Sequence, residues 1–419
     1  MINLIFSAMI KVPVLVSIMI ALAAPAAAQS GGAANPSKEG KKTSAASQTL
    51  MVFYLAKGEP GSCGPACSEW IAAEGRFDEG SAQRLRAFLS RMGNRKLPIL
   101  FHSSGGLATT ASEIGRLLRD REMTAGVYQT IPAGCAGASE QACRALKQAG
   151  QVLPAALRND ARCDSACVFA LIGAKVRQVP PVARLGIHSI KLVVEWGHAP
   201  SYSERQMESY ERRRLAEINA KYRRYVQEMK VDVRLFDLIL QVPHESIHYL
   251  SRDEIVQFGI DSREFQETRW DAPDLGTPEL WGLKFFVERP AKDRKELHTS
   301  FLRISCQSLQ RVSITYFRNA GSGEPGAGTA MKLAAGDRVA TLSRFGSVVK
   351  MDAVEPGASY MSWATLSSFE FIEAVAARDT IEISEPGDAE AVARVTKLST
   401  AGLPQTISAL RQRCGPKPG

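Results

Sequence analysis

Hydrophobic and polar positions change their rhythm three times along this chain. It opens with a mostly apolar run, Met1–Ala24, whose single charge is Lys11, followed by Pro25, Ala26, Ala27 and Ala28. A short apolar core ending in small residues at an A-x-A site is what signal peptidase cleaves. Residues 1–28 are therefore expected to be an export signal cut near Ala28, and the mature chain is expected in the periplasm or outside the cell. No later stretch approaches the ~20 apolar residues that a membrane span needs, so no transmembrane segment is expected after signal removal. Residues 29–48, rich in Gly, Ser, Ala and Lys without apolar periodicity, read as a flexible leader.

From Thr49 short apolar runs alternate with amphipathic stretches. Leu50–Leu55 and Glu69–Glu74 read as strands, and Leu85, Phe88 and Leu89 share one face of a helix over Glu79–Met92. A strand over Pro98–Phe101 runs into His102-Ser103-Ser104-Gly105-Gly106, and the stripe Ala108, Ala111, Ile114, Leu117, Leu118 predicts a helix behind it. A strand over Thr124–Gln129 is followed by a polar insertion, Ile131–Arg158. Ala161–Ser165 then leads into an apolar helix stopping at Gly173, with strands at Lys175–Val179 and Arg184–His188. This alternation predicts an α/β domain with mostly parallel pairing over residues 49–265. Ser203–Val231 is expected to form one long charged helix, with Met207, Tyr210, Leu215, Ile218, Tyr222 and Tyr225 at helical spacing, a packing arm or a partner's face. Shorter helices follow at Arg234–Gln241 and from Ser251 to Gly259.

The rhythm changes again after a Pro-rich connector at 266–281. Leu283–Glu288, Phe301–Cys306, Arg311–Phe317, Arg338–Leu342, Phe369–Val375 and Thr380–Ile383 are short alternating runs broken by Gly, Pro and Asp. They predict a small β-rich sandwich or barrel over 282–419, and a last helix, Pro404–Arg413, carries Cys414 back to it.

Charge and cysteines narrow the function. The net charge of +9 is spread out, with clusters only at Arg212–Arg214 and Arg223–Arg224, so it reads as a solvated helix face and no nucleic-acid partner is expected. Eight cysteines, all beyond the signal, fit an oxidising compartment and a disulfide framework. Cys306 and Cys414 are the only two in their domain and are expected to pair. Cys63 and Cys67, and Cys135 and Cys143, lie close enough to pair as well. The pairs Cys63/Cys67 and Cys163/Cys167 have C-x3-C spacing, whereas zinc sites favour C-x2-C, so no metal is expected. His244 and His248, four apart, read as loop residues. No cofactor is expected.

Two junctions in the first domain could carry chemistry. Gly105-Gly106, between a strand and a helix, can present backbone N–H groups to a developing negative charge. Ser165 sits at a second strand-to-helix junction among small residues, and His188 ends the next-but-one strand. Together they supply the nucleophile, base and oxyanion donors that acyl transfer requires. Taken singly, Ser165 is an N-cap, His188 a structural histidine and Gly-Gly a turn.

In order and spacing these residues resemble the ClpP-like serine proteases of the ClpP/crotonase superfamily. The family's Ser-Pro-Gly-Gly turn corresponds to Ser103-Ser104-Gly105-Gly106. Its nucleophile helix corresponds to Ser165-Ala166-Cys167-Val168-Phe169, its base strand to Arg184–His188, and its closing helix to Tyr249–Asp261. The resemblance covers about residues 50–262 and implies a repeated ββα fold, Ser165 as nucleophile and His188 as general base. It implies an oxyanion hole at Gly105 and Ala166, with Gly106 beside them. The family's third member, an Asp, has no counterpart here; Glu245 is the nearest carboxylate and Asp237 a more distant one, and a Ser–His dyad is the other option. Ser104 in place of Pro, the 131–158 insertion and the flanking Cys163 and Cys167 depart from the family. The resulting expectation is an ATP-independent periplasmic peptidase acting on peptide or protein substrates, with no ATPase partner evident and homo-oligomer formation left open. A catalytically inactive scaffold with the same fold is the alternative. Crotonase-type acyl-CoA chemistry lacks this Ser/His pair, and export removes the chain from CoA.

Overall fold

The computed structural model describes residues 50–64, 67–192, 203–261, 263, 265–272, 280–288, 297–320, 330–351, 354–355, 357–384 and 395–414. The expected signal and leader at 1–48 lie outside these residues, as does most of the Pro-rich part of the connector. Among the described residues no helix is long and apolar enough to cross a membrane.

The first region is α/β. Its strands are β1 (Val52–Lys57), β2 (Glu69–Glu74), β3 (Ile99–His102), β4 (Thr124–Val127), β5 (Gln129–Pro132), β6 (Leu153–Arg158), β7 (Arg162–Asp164), β8 (Val176–Gln178), β9 (Arg184–Ile187) and β10 (His248–Tyr249). Seven form a mixed sheet in the order β5-β6-β1-β2-β3-β4-β8, and β10-β9-β7 form a second, smaller sheet. A parallel bridge between Ser103 and Cys163 links the two, so the end of β3 lies beside β7.

The helices are α1 (Ser81–Met92), α2 (Ala108–Asp120), α3 (Glu140–Gln148), α4 (Ala166–Gly173), α5 (Glu204–Glu228), α6 (Arg234–Gln241) and α7 (Arg252–Gln257). Leu85 and Leu89 of α1 and Ile114 and Leu118 of α2 turn inward to a core shared with Phe101 and Val127. Every residue of α4 is buried, as an all-apolar helix must be. It crosses α2 at a backbone contact: a Cβ on Gly173 would stand 2.2 Å from the Gly115 Cα. The phenol of Tyr225, from the buried end of α5, donates to the Phe169 carbonyl at 2.6 Å. The first half of α5 is largely exposed.

The stretch expected as an insertion is built into the main sheet. β6 runs parallel to β1, the Cys135–Cys143 disulfide staples the approach to α3, and Lys147 of α3 pairs with Glu74 at 2.6 Å. Glu74 also accepts from the Tyr54 hydroxyl at 2.9 Å. Trp70 and Leu153 pack in the separate core beneath this cover. The Cys63–Cys67 disulfide closes the loop between β1 and β2.

The second region is a nearly closed antiparallel barrel. Its strands are β11 (Gln266–Glu267), β12 (Trp281–Glu288), β13 (His298–Cys306), β14 (Arg311–Asn319), β15 (Ala330–Ala335), β16 (Arg338–Arg344), β17 (Val349–Lys350), β18 (Ser359–Ser368), β19 (Thr380–Ser384) and β20 (Val395–Ser399). They run β11-β12-β13-β14-β18-β16-β15-β19-β20, with β17 on β18. The ends approach where Trp270 N–H meets the Ala401 carbonyl at 2.9 Å. Gln266–Glu267, inside the expected connector, thus supplies an edge strand of this sheet. At the same edge Lys284 is wholly buried and pairs with Glu267 at 2.9 Å.

Phe369–Val375, expected as a strand, is helical: α8 spans Phe369–Ala376. Phe369, Ile372 and Val375 are buried at intervals of three, and the Ser368 hydroxyl caps the start by accepting from Phe371 N–H, an N-cap arrangement. Strands β15, β17, β18 and β20 were not among those expected. The last helix, α9 (Leu403–Cys414), carries Cys414 to its disulfide with Cys306 across 108 residues.

Closing a loop of that length removes about 4–5 kcal/mol of chain entropy from the unfolded state. The double substitution Cys306→Ala/Cys414→Ala should therefore lower the midpoint of urea unfolding strongly, with the loss registered first by tryptophan fluorescence of the barrel, where Trp363 is fully buried. An unchanged midpoint would contradict this assignment of the bond's role.

Candidate functional site

Ser165 follows the last residue of β7 and precedes α4, with φ 55° and ψ −119°. That region is strained for a residue with a side chain, at about 1–3 kcal/mol, and persists only where the surroundings enforce it. Three contacts do so. Ser165 N–H donates to the Gly186 carbonyl of β9 at 2.7 Å. The Cys163–Cys167 disulfide spans the turn, joining β7 to the first turn of α4. Gly105, at φ 101°, closes from the other side, and a Cβ on it would stand 2.8 Å from the Ser165 Cβ. Cys163, Asp164, Ala166 and Cys167 are all buried, while Ser165 alone is partly open.

The backbone donors divide unequally. Gly105 N–H is held by the Ser103 hydroxyl at 3.1 Å, which itself donates to the Gly75 carbonyl at 2.6 Å. Among the described residues the Gly106 and Ala166 N–H groups have no hydrogen-bond partner. Ala166 opens α4, so its N–H is one of the unsatisfied donors that every helix start presents.

His188 leaves the end of β9. The parallel register sets Asp164 against Gly186, so Ser165 comes level with Ile187 and His188 lies one residue further. His188 Nδ1 lies 2.9 Å from the Ser189 carbonyl. A carbonyl only accepts, so Nδ1 carries the hydrogen and Nε2 of the neutral ring is bare. Among the described residues no hydrogen bond joins Ser165 to His188.

The expected carboxylates are not brought to His188. Glu245 is exposed and makes no hydrogen bond among the described residues, and Asp237 is paired with Arg223. The Ser189 carbonyl stands where an orienting carboxylate was sought. His244 and His248 face different partners: His244 Nδ1 lies 3.0 Å from the Ser189 carbonyl, and His248 Nε2 lies 3.1 Å from Glu254. Among the described residues no group of three or more His, Cys, Asp or Glu is placed to hold a metal ion. A cavity of about 570 Å³ opens here, lined by Ser189–Leu192, by one face of α5 (Glu208, Glu211, Arg212, Leu215) and by His244 and Glu245.

Sequence reasoning overlooked Asp164. Its carboxylate is 5 % exposed and its Oδ1 has no hydrogen-bond partner. Burial pushes its pKa up to about 6, against the opposing pull of Arg162, Arg184 and the Gly186 N–H. Of these, Arg162 Nε lies 3.8 Å from Oδ2. The signal was present: Asp164 is the only carboxylate between Ala161 and Ala174. The Ser189 carbonyl, a backbone group, left no such signal.

No protein-family model matches this chain, and no curated protein does. Among solved structures, a mutant ClpP1 from Listeria monocytogenes is similar at 13% identity and a TM-score of 0.28, over 45% of this chain and 85% of that one.

Proposed function

We propose that the chain is a serine hydrolase of the peptidase class, exported to the cell envelope and working without ATP through an acyl-enzyme on Ser165. The observation that carries this reading is the turn at Ser165. A non-glycine residue is forced to positive φ, left partly open between buried neighbours, and set at the start of a helix whose first N–H, that of Ala166, has no partner among the described residues. Strain of this kind is retained at functional sites and explained by them.

In this mechanism Ser165 Oγ attacks the substrate carbonyl carbon while His188 Nε2 takes its proton. The carbonyl π electrons move to oxygen, and the Gly106 and Ala166 N–H groups hold that oxyanion. Collapse breaks the C–N bond, and His188 returns the proton to the leaving amine. Water then cleaves the ester by the reverse sequence, regenerating Ser165. Catalytic hydrogen bonds often tighten only when substrate binds, so the Ser165–His188 bond is expected to form in the complex. The export motif at 1–28 and the pairing of all eight cysteines in four disulfides support an envelope location.

A non-catalytic scaffold is the second reading. It is favoured by the absence, among the described residues, of a carboxylate bonded to His188.

A fluorophosphonate probe separates the two. The wild-type chain should become covalently labelled, Ser165→Ala should abolish labelling, and His188→Gln should slow it at least about 100-fold, the lower end of what a positioned base supplies. An unlabelled wild type would end the hydrolase reading.

Asp164 supplies a second test, of the burial at this turn. Its folded pKa of about 6 lies above the unfolded value of ~3.9, so the folded chain holds this proton more tightly. Any penalty is absent below ~3.9, grows as the unfolded carboxyl ionises, and is complete once pH passes the folded pKa. Asp164→Asn should therefore stabilise the chain by up to about 3 kcal/mol at pH 7.5 and by little at pH 3.5. Equal effects at the two pH values in thermal melts would show that the carboxylate is not held uncompensated.

A further inference from the structure

We propose that His244 is a positioning residue for His188, acting through the carbonyl of Ser189. The inference rests on reading His188 as the general base.

β9 ends at Ile187, and the chain from His188 to Leu192 has no regular structure. No sheet ladder therefore fixes the direction of the Ser189 carbonyl, to which His188 Nδ1–H donates at 2.9 Å. The segment after α6 does. Val242 carbonyl accepts from Ser189 N–H at 2.8 Å, and His244 Nδ1–H donates to Ser189 O at 3.0 Å. Ser189 is thus held at both of its backbone polar groups, one in each flanking peptide unit, by residues two apart. A carbonyl oxygen has two lone pairs, so it accepts from both imidazoles at once.

The rings also meet directly. His188 and His244 lie with centroids 4.6 Å apart at 83°, an edge-to-face arrangement of the kind aromatic rings prefer. This contact limits rotation of the His188 ring about χ2, and the shared oxygen fixes which nitrogen carries the hydrogen. Both constraints leave Nε2 as the free base. His248, the first residue of β10, is engaged with Glu254 and does not compete for Ser189.

The role differs from a merely structural one because it acts on the His188 tautomer. With ¹⁵N-histidine labelling only six histidines contribute signals, and His188→Gln identifies those of His188. In the wild type His188 should show the Nδ1–H tautomer. In His244→Ala it should become a mixture of the two neutral forms, and fluorophosphonate labelling should slow about tenfold, a fraction of the roughly 10²–10⁴-fold a positioned base supplies. His244→Asn keeps an amide N–H near the place of Nδ1–H and should restore both. Unmoved His188 signals in His244→Ala, or an Asn variant no better than Ala, would overturn the proposal. A wild type that resists the probe while His244→Ala still shifts the His188 tautomer would end the hydrolase reading and leave the positioning contact standing.

Discussion

The left-handed turn at Ser165 is the constraint on which the first region depends. It exists because two sheets meet there: the end of β3 bridges β7 through Ser103 and Cys163, while β9 presents the Gly186 carbonyl to Ser165 N–H. Backbones approach so closely that glycine is required at 105, and the Cys163–Cys167 disulfide removes the freedom through which the turn would relax. The consequences spread inward. α4 starts from the turn and runs straight into the core, so all eight of its residues are buried and it must cross α2 at Gly115. That crossing is capped by Tyr225, which ties the buried end of α5 to the helix that carries Ser165.

Much of this was legible in the sequence, and for identifiable reasons. Inward stripes with a 3.6-residue period gave α1 and α2. The positions of Gly105, Ser165 and His188 at the ends of elements followed from where each apolar run stopped. Other features are set by distant contacts. Ile131–Arg158 is polar because α3 covers the sheet through an ion pair, Lys147 with Glu74, that only the fold brings together. Phe369–Val375 is apolar enough for a strand, yet its burial repeats every three residues and Ser368 caps it as a helix. Glu245, the nearest carboxylate that the sequence offered His188, is exposed in space, because Pro243–Ser246 turns at the surface, with Ser246 N–H returning to the Pro243 carbonyl at 3.0 Å. Asp164 stands in a short polar stretch, Arg162–Ser165, and only the packing of β7 between β3 and β9 buries it.

The barrel has its own core around Trp363, Tyr316 and Phe286, and it docks through polar backbone contacts. Leu297 N–H donates to Asp253 of α7 at 2.8 Å, Thr299 Oγ1 to the Pro181 carbonyl at 3.3 Å, and Arg269 to the Pro60 carbonyl at 2.6 Å. None of these contacts involves Ser165, His188 or His244. The buried Arg252 beside them donates to the Val179 and Ala183 carbonyls, which locks α7 onto the chain that leads into β9. The barrel therefore braces the strand bearing His188 from its N-terminal side, while the loop of Val242 and His244 braces it from the other.

On the proposed reading, the orienting group of His188 is a carbonyl, and that changes the electrostatics of the base. A carboxylate stabilises the imidazolium formed during attack by a full charge, whereas a carbonyl offers only a dipole. Less of the barrier is then lowered at His188, and a larger share falls to the Gly106 and Ala166 donors and to the preformed strain of Ser165. Triad enzymes stripped of a member keep a residual rate from their oxyanion hole and binding alone, so a carbonyl-oriented pair has a floor to build on. Asp164 adds a fixed constraint. The cations that act on it, Arg162 and Arg184, lie on β7 and β9, the strands that lead into Ser165 and His188, so ionisation of one buried carboxyl acts on both strands at once. On that reading the site leans on backbone groups, with a buried carboxylate beside them whose Oδ1 has no partner, more than on a side-chain triad.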